Sequence, residues 1–239
     1  MDLIVRLFYF YVNLCRFDDR ACRSFVSFPP VCQLPPYPIS FLWPTDALTR
    51  SSEFQVHGIV DEGCPVSHET CPEYCSLFHP TCSYDDRMRS FFGSGMRVGL
   101  LQEILLEGPR SMPSILGRFL NSKPHCSILR MFGLDSIGMA ISEQPNVVIA
   151  GLASLPDTIS RNPLIVAIHE PLDTNGTYRI CVNSVSPASV VLCTGDERQE
   201  LTPSYFLCVN KTLDIPSYYW FETTVLNTTY RTPRHEIIS

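Results

Sequence analysis

Charge is scarce in this chain, and so are the signatures of catalysis. Of 239 residues only 18% are charged, and 18 Lys and Arg against 24 Asp and Glu leave a net charge of −6. That sign, with no long Lys/Arg run to override it, excludes nucleic acid as a partner, because phosphate binding needs clustered cations. No apolar run approaches the roughly 18 residues that a spanning helix needs, so any membrane association would go through partners. No GxSxG elbow is present. Gly93-SGMRV-Gly99 lacks the GxGxxG spacing, and no P-loop Lys follows it. His169-Glu170 runs into Pro171, which rules out an HExxH helix there. The pair Asp85-Asp86 reads as a solvated turn or helix start rather than as acid/base machinery. The sequence therefore predicts no enzyme and no cofactor.

Cysteine and proline are plentiful instead. The 11 cysteines and 20 prolines accompany a hydrophobic content of 45%, enough for a real core. Cys15, Cys22, Cys32, Cys64, Cys71, Cys75, Cys82, Cys126, Cys181, Cys193 and Cys208 span nearly the whole chain, as a disulfide framework does. Their number is odd, so one thiol stays free, leaves with a leader or bridges to another chain. Residues 1–15, with Arg6 ahead of an apolar run from Leu7 to Cys15, read as a signal segment. A buried first helix or strand is the alternative. With that segment removed, the disulfide candidates are Cys22, Cys32, Cys64, Cys71, Cys75, Cys82, Cys126, Cys181, Cys193 and Cys208.

The densest group is Cys64-PVSHET-Cys71-PEY-Cys75-SLFHPT-Cys82. His68 and His79 lie between these cysteines, so an intracellular zinc site is a competing reading. The inner spacing is CxxxC, however, and no CxxC knuckle presents two thiolates to one metal. Disulfides are favoured and no metal site is predicted. Nesting Cys64–Cys82 around Cys71–Cys75 is one of three possible pairings within the cluster.

Periodicity divides the chain in two. Residues 16–123 read as a Cys/Pro-rich domain, beginning with a proline- and aromatic-rich arm over 28–44. Its apolar residues, among them Val31, Leu34, Ile39, Phe41, Leu42 and Trp43, suit packing on its own domain or on a neighbour. Met96, Leu100, Leu101, Ile104 and Leu105 recur at helical spacing and predict a helix near 96–107. A second is predicted near 111–121, with Ile115, Leu116, Phe119 and Leu120 on one side. Residues 124–239 turn to β: runs beginning at Ser127, Val147, Leu164, Thr177, Val190, Tyr205 and Tyr218 predict an antiparallel sheet or sandwich. The fold class is α+β, a Cys/Pro-rich half followed by an antiparallel β-rich, sandwich-like half.

Three sequons, Asn175-Gly-Thr, Asn210-Lys-Thr and Asn227-Thr-Thr, use three of the chain's eight asparagines and all lie in the β-rich half. Cys181, Cys193 and Cys208 fall on consecutive predicted strands, with Cys126 making an even set. Trp43, Tyr219 and Trp220 are candidate interaction anchors, each with core packing as its alternative.

The strings Asn175-GTYRICV, Ser217-YYWFETTVL and the closing Asn227-TTYRTPRHEIIS resemble the tail of a betaherpesvirus (cytomegalovirus-type) envelope glycoprotein. Within that family they are similar to the larger, chemokine-like subunit of the pentameric complex through which the virus enters host cells. The likeness covers about residues 160–239 and, more loosely, 28–60. It implies a non-enzymatic subunit that assembles with a glycoprotein H/L-type heterodimer and helps form a surface for a host receptor. Two other readings compete with it: a secreted viral immune-modulating decoy with an immunoglobulin-like β domain, and the intracellular zinc protein.

Overall fold

The structure is a computed structural model that describes residues 2–26, 29–34, 39–75, 82–93, 96–108, 111–143, 146–156, 161–185 and 189–238. It is α+β and falls into two compact units, one of Tyr11–Ile159 and one of Met1–Phe10 with Ser160–Ser239. The elements in order are α1 (Leu3–Phe17), α2 (Asp19–Phe25), β1 (Trp43–Pro44), α3 (Asp46–Val60), α4 (Pro72–Cys75) and α5 (Tyr84–Phe91). Then come β2 (Leu101–Glu107), α6 (Met112–Leu120), α7 (Lys123–Leu129), β3 (Ser136–Glu143) and β4 (Asn146–Ala153). The rest is strand: β5 (Leu164–Pro171), β6 (Thr177–Ser184), β7 (Val190–Thr194), β8 (Glu197–Leu201), β9 (Phe206–Thr212), β10 (Ser217–Val225), β11 (Thr228–Arg231) and β12 (His235–Ile237).

In the first unit the sheet runs β1-β3-β4-β2. Register places Gly138 of β3, Gly151 of β4 and Glu103 of β2 in one row across it. With two of the three positions lacking side chains, the sheet surface is low there and α3 lies close: Ser52 donates its hydroxyl to the Gly138 carbonyl at 3.3 Å. Leu48, Met88, Phe92, Leu101, Ala153 and Leu155 form a core on that side. The helix predicted near 96–107 is instead strand β2. Its Leu, Gln and Glu residues favour helix locally, but full antiparallel pairing of Leu101–Glu107 with β4 outweighs that preference. The second predicted helix is α6. The run beginning at Ser127, expected as a strand, starts in the last turn of α7 and continues as turns to Leu134; α7 itself opens at Ser122-Lys123-Pro124, with Pro in its first turn. Residue 123 is no boundary either: β2 pairs with β4 across α6 and α7, so the unit continues to Ile159.

Of the apolar arm before β1, Ile39, Phe41 and Leu42 are buried, whereas Val31 is exposed; residues 28 and 35–38 lie outside the described set. Side chains of α1 hold it. Asn13 exchanges two hydrogen bonds with the Leu42 backbone, at 2.8 and 3.0 Å. Arg16 donates to the carbonyls of Ser40 at 2.8 Å and Leu134 at 3.1 Å, and also to that of Leu129. This guanidinium is ringed by carbonyls, and burial pulls its pKa down to about 9 against the pull of Asp135. The segment read as a signal core therefore forms α1, with Phe8, Tyr9, Phe10 and Val12 buried.

In the second unit two antiparallel sheets, β5-β6-β9 and β8-β7-β10-β11 with β12 also on β10, share one core. Ala167, Tyr178, Ile180 and Val182 from the first meet Val190, Leu192, Tyr219 and Phe221 from the second. This is the sandwich expected from the β-branched and aromatic runs, although the run from Val147 became β4 of the first unit. Its strands one, two and five lie in one sheet and three, four, six and seven in the other. The short strand β12 continues the last edge after a break, pairing with the start of β10 where β11 pairs with its end.

Candidate functional site

Five disulfides close: Cys15–Cys22, Cys32–Cys126, Cys64–Cys71, Cys75–Cys82 and Cys181–Cys208. Such a set places the folding of this chain in an oxidising, extracellular-type compartment. Two corrections to the candidate set follow. Cys15, left out of it, is paired; Cys193, included in it, is the free and buried thiol. The reason is strand parity. Cys181 and Cys208 face each other across β6 and β9, whereas Cys193 lies in the other sheet, on the face of β7 that it shares with Trp220 and Arg198. Burial and nearby Glu222 raise its pKa, so this buried thiol is poorly placed to bridge to a partner chain.

The cysteine-rich loop is closed by two consecutive short-range bridges rather than nested ones. No group of three or more His, Cys, Asp or Glu able to hold a metal occurs among the described residues, and His79 lies outside them. The loop is anchored by polar contacts instead. Arg87 of α5 donates to Gln55 Oε1 at 2.8 Å, Thr70 Oγ1 at 2.9 Å and the His68 carbonyl at 3.0 Å, and pairs with Glu103. His68 Nδ1 lies 3.0 Å from the other Glu103 oxygen. Gln55 returns donors to the carbonyls of Ser67 and Glu69 at 2.8 and 3.2 Å. Asp85 and Asp86 open α5 as expected, under the Ser83 cap. Of the Gly93–Gly99 stretch, residues 94 and 95 lie outside the described set.

All three sequon asparagines are exposed. Asn175 sits in the turn between β5 and β6, and Asn210 on β9. Asn227 shares a tight hairpin turn with Leu226, both at positive φ (64° and 48°), a conformation Asn tolerates well. Of the candidate anchors, Tyr219 is fully buried core, while Trp43 and Trp220 are half-buried.

Trp220 belongs to an arrangement the sequence reading missed. Along β10, Tyr219 and Phe221 point into the core, so Trp220, Glu222 and Thr224 alternate onto the outer face of the sheet. Glu222 is the hub. Its side chain is 6% exposed, accepts from Trp220 Nε1 at 2.9 Å and from Arg198 Nη2 at 2.5 Å, and lies 2.7 Å from Arg231 Nε. These donors, the Trp220 N–H first, hold its carboxyl below the ordinary range. Arg231 is directly opposite Glu222 on β11, whereas Arg198 reaches it from β8 across β7. Arg234 lies over the Trp220 ring, 4.7 Å from its centre. A cavity of about 390 Å³ opens here, lined by Ser189, Val191, Arg198, Glu222, Arg231 and three threonines, Thr223, Thr224 and Thr229. Thr229 is the last residue of the Asn227 sequon. Period-two alternation could have put Trp220, Glu222 and Thr224 on one face; nothing local joins them to Arg198 and Arg231.

A second polar group lies inside the sandwich. His169 of β5 bonds the Tyr219 hydroxyl at 3.1 Å, Arg6 donates to that hydroxyl at 3.4 Å and to the Ala167 carbonyl at 3.1 Å, and the His235 ring lies 5.2 Å from that of Tyr219. Tyr178 meets His169 edge-on. Burial first, then the Arg6 charge, push both histidines down to about 4. Folding thus disfavours their protonated forms relative to an ordinary pKa near 6.5. The stability tied to their neutrality is full above about pH 6.5 and is lost as pH falls toward 4. His169, 9% exposed, contributes on the order of 2 kcal/mol of this after discounting for partial solvation of the ring. The melting temperature should fall across that window, and less steeply in His169→Gln. A flat profile from pH 6.5 to 4 would refute the assignment.

No family model matches the sequence, and no curated protein sequence matches it. Among solved structures the chain is similar to an outer surface protein of Borrelia burgdorferi, at 16% identity and a TM-score of 0.44, over 65% of this chain and 97% of that one.

Proposed function

We propose that the chain is an extracellular glycoprotein that works by binding other proteins, without chemistry of its own, through the outer face of the β8-β7-β10-β11 sheet. The observation that carries this is the array of exposed Arg234, Arg198 and Arg231 and half-buried Trp220 organised on the buried Glu222. Aromatic and Arg side chains are the types that dominate binding energy, and these are already held in place. The five disulfides support the compartment, and the exposed sequons would supply the wet surface that so few charges leave unprovided. No helix among the described residues is long and apolar enough to cross a membrane, consistent with association through partners.

The resemblance of residues 160–239 to betaherpesvirus envelope glycoproteins makes a glycoprotein H/L-type heterodimer the first partner to test, with a host receptor bound by the assembly. In the secretory pathway of mammalian cells the chain alone should stay in the endoplasmic reticulum with endoglycosidase-sensitive glycans. It should leave and co-purify with the heterodimer when the two are co-expressed. The two-sheet antiparallel sandwich of the second unit favours one other reading, a viral immune-modulating decoy with an immunoglobulin-like β domain. Efficient secretion of the chain alone, with no heterodimer bound on co-expression, would replace the subunit reading with that one.

A further inference from the structure

Among the described residues, Arg198 and Arg231 are cations that are both anchored and left with open donors. Each touches Glu222 through one nitrogen, yet their side chains are 57% and 65% exposed. The other N–H groups of both guanidiniums have no protein acceptor among the described residues. A free arginine loses rotamer entropy when it docks; here the buried carboxylate has already removed much of that freedom. Glu200, in register with Val191 and bonded by Ser189, and Glu236, opposite Tyr218, share this face with Glu222, so it is the open donors of the two arginines, and not an excess of positive charge, that mark the site. The cavity between them adds the hydroxyls of Thr224 and Thr229, which lie 3.2 Å apart.

We infer that this face takes a carboxylate: an Asp or Glu side chain of a partner protein, held by the outward N–H groups of Arg198 and Arg231 above Glu222. The planar fork of each guanidinium suits bidentate capture of such a group, and the two arginines would then bridge two carboxylates, one resident and one supplied. A sulfated polysaccharide is the weaker fit. Glu222 sits in the middle of the array, the acidic remainder of the chain repels an extended polyanion, and Arg234 already covers one face of the indole on which a sugar ring would stack.

This inference rests on the reading of the sheet face as a protein-binding surface, but its test needs no viral partner. A rhodamine-labelled Gly/Glu peptide and its Gly/Gln counterpart are titrated against the full oxidised chain by fluorescence anisotropy, with a heparin-derived oligosaccharide as competitor. The Glu peptide should bind and the Gln peptide should not, with binding weakening as salt rises. Arg198→Ala with Arg231→Ala should weaken it by about tenfold or more. Removing both arginine partners of Glu222 leaves it only the Trp220 N–H and disturbs folding, so Arg198→Lys with Arg231→Lys is the companion variant. It keeps the charges and loses the fork, and should also bind the peptide more weakly. Equal binding of the Gln peptide, binding untouched by either variant pair, or preferential binding of the oligosaccharide would overturn the inference. Capture of the heterodimer by a chain that ignores the Glu peptide would leave the proposed function standing and remove this carboxylate site. Peptide binding without heterodimer capture would do the reverse.

Discussion

Replacing Arg87 with methionine should cost the first unit about 3–5 kcal/mol, the range for removing one partner of a buried ion pair. Both side chains of the Arg87–Glu103 pair are 1% exposed, so the substitution strands Glu103 as an uncompensated charge. The loss does not stop at the pair. Arg87 also holds Gln55, Thr70 and the His68 carbonyl, and so couples α5 and β2 to the loop closed by Cys64–Cys71. That loop should become protease-sensitive while its disulfides remain intact. Denaturant unfolding monitored alongside limited proteolysis reads both effects. Glu103→Gln keeps an acceptor for Arg87 but leaves the guanidinium buried without its countercharge, and should also destabilise. A loss under about 1 kcal/mol in Arg87→Met would mean that water, not protein, satisfies this network.

Gly138→Ala should be more damaging still. A Cβ at this position would lie 2.1 Å from the Thr49 nitrogen and 2.2 Å from the Leu48 carbonyl carbon, both backbone atoms of α3. No rotamer change relieves a clash with main chain, so α3 must lift from the sheet and give up the core around Leu48 and Met88. Gly151, the registered neighbour, is the internal control. There an added Cβ meets only the far ends of the Met88 and Leu48 side chains, at 3.3 and 3.4 Å. Gly151→Ala should therefore fold with a modest loss, whereas Gly138→Ala should yield little oxidised, secreted protein and a collapsed melting transition. Similar stability for the two variants would show that α3 does not approach the sheet as closely as this.

Both predictions depend on contacts that no local pattern announces, and the misread elements share that cause. Leu101 to Glu107 carries helical spacing, and Glu103 falls where a helix would show a solvated residue. It is buried because Arg87, sixteen positions earlier, meets it there. The run beginning at Ser127 carries strand-like residues but pairs with nothing, because Ser122-Lys123-Pro124 begins a helix that takes its first three residues and the rest turn toward β3. The sandwich was legible, since β5, β6 and β10 are short runs rich in β-branched and aromatic residues with turn formers between them. The Glu222 hub was not. Its arginines lie on other strands, and only register and strand order bring them to it.

By itself the sequence determined the compartment and the class. Cysteines spread over the whole chain, together with scarce charge, specify a disulfide-bonded α+β protein, because composition and alternation are local quantities that survive without knowledge of contacts. Tertiary structure alone decided the pairing. It chose Cys15 over Cys193, consecutive over nested bridges in the 64–82 loop, and the convergence of Arg198 and Arg231 on Glu222. Each of those outcomes depends on which residues distant in sequence share a face, and in a sheet a shift of one position reverses every such choice.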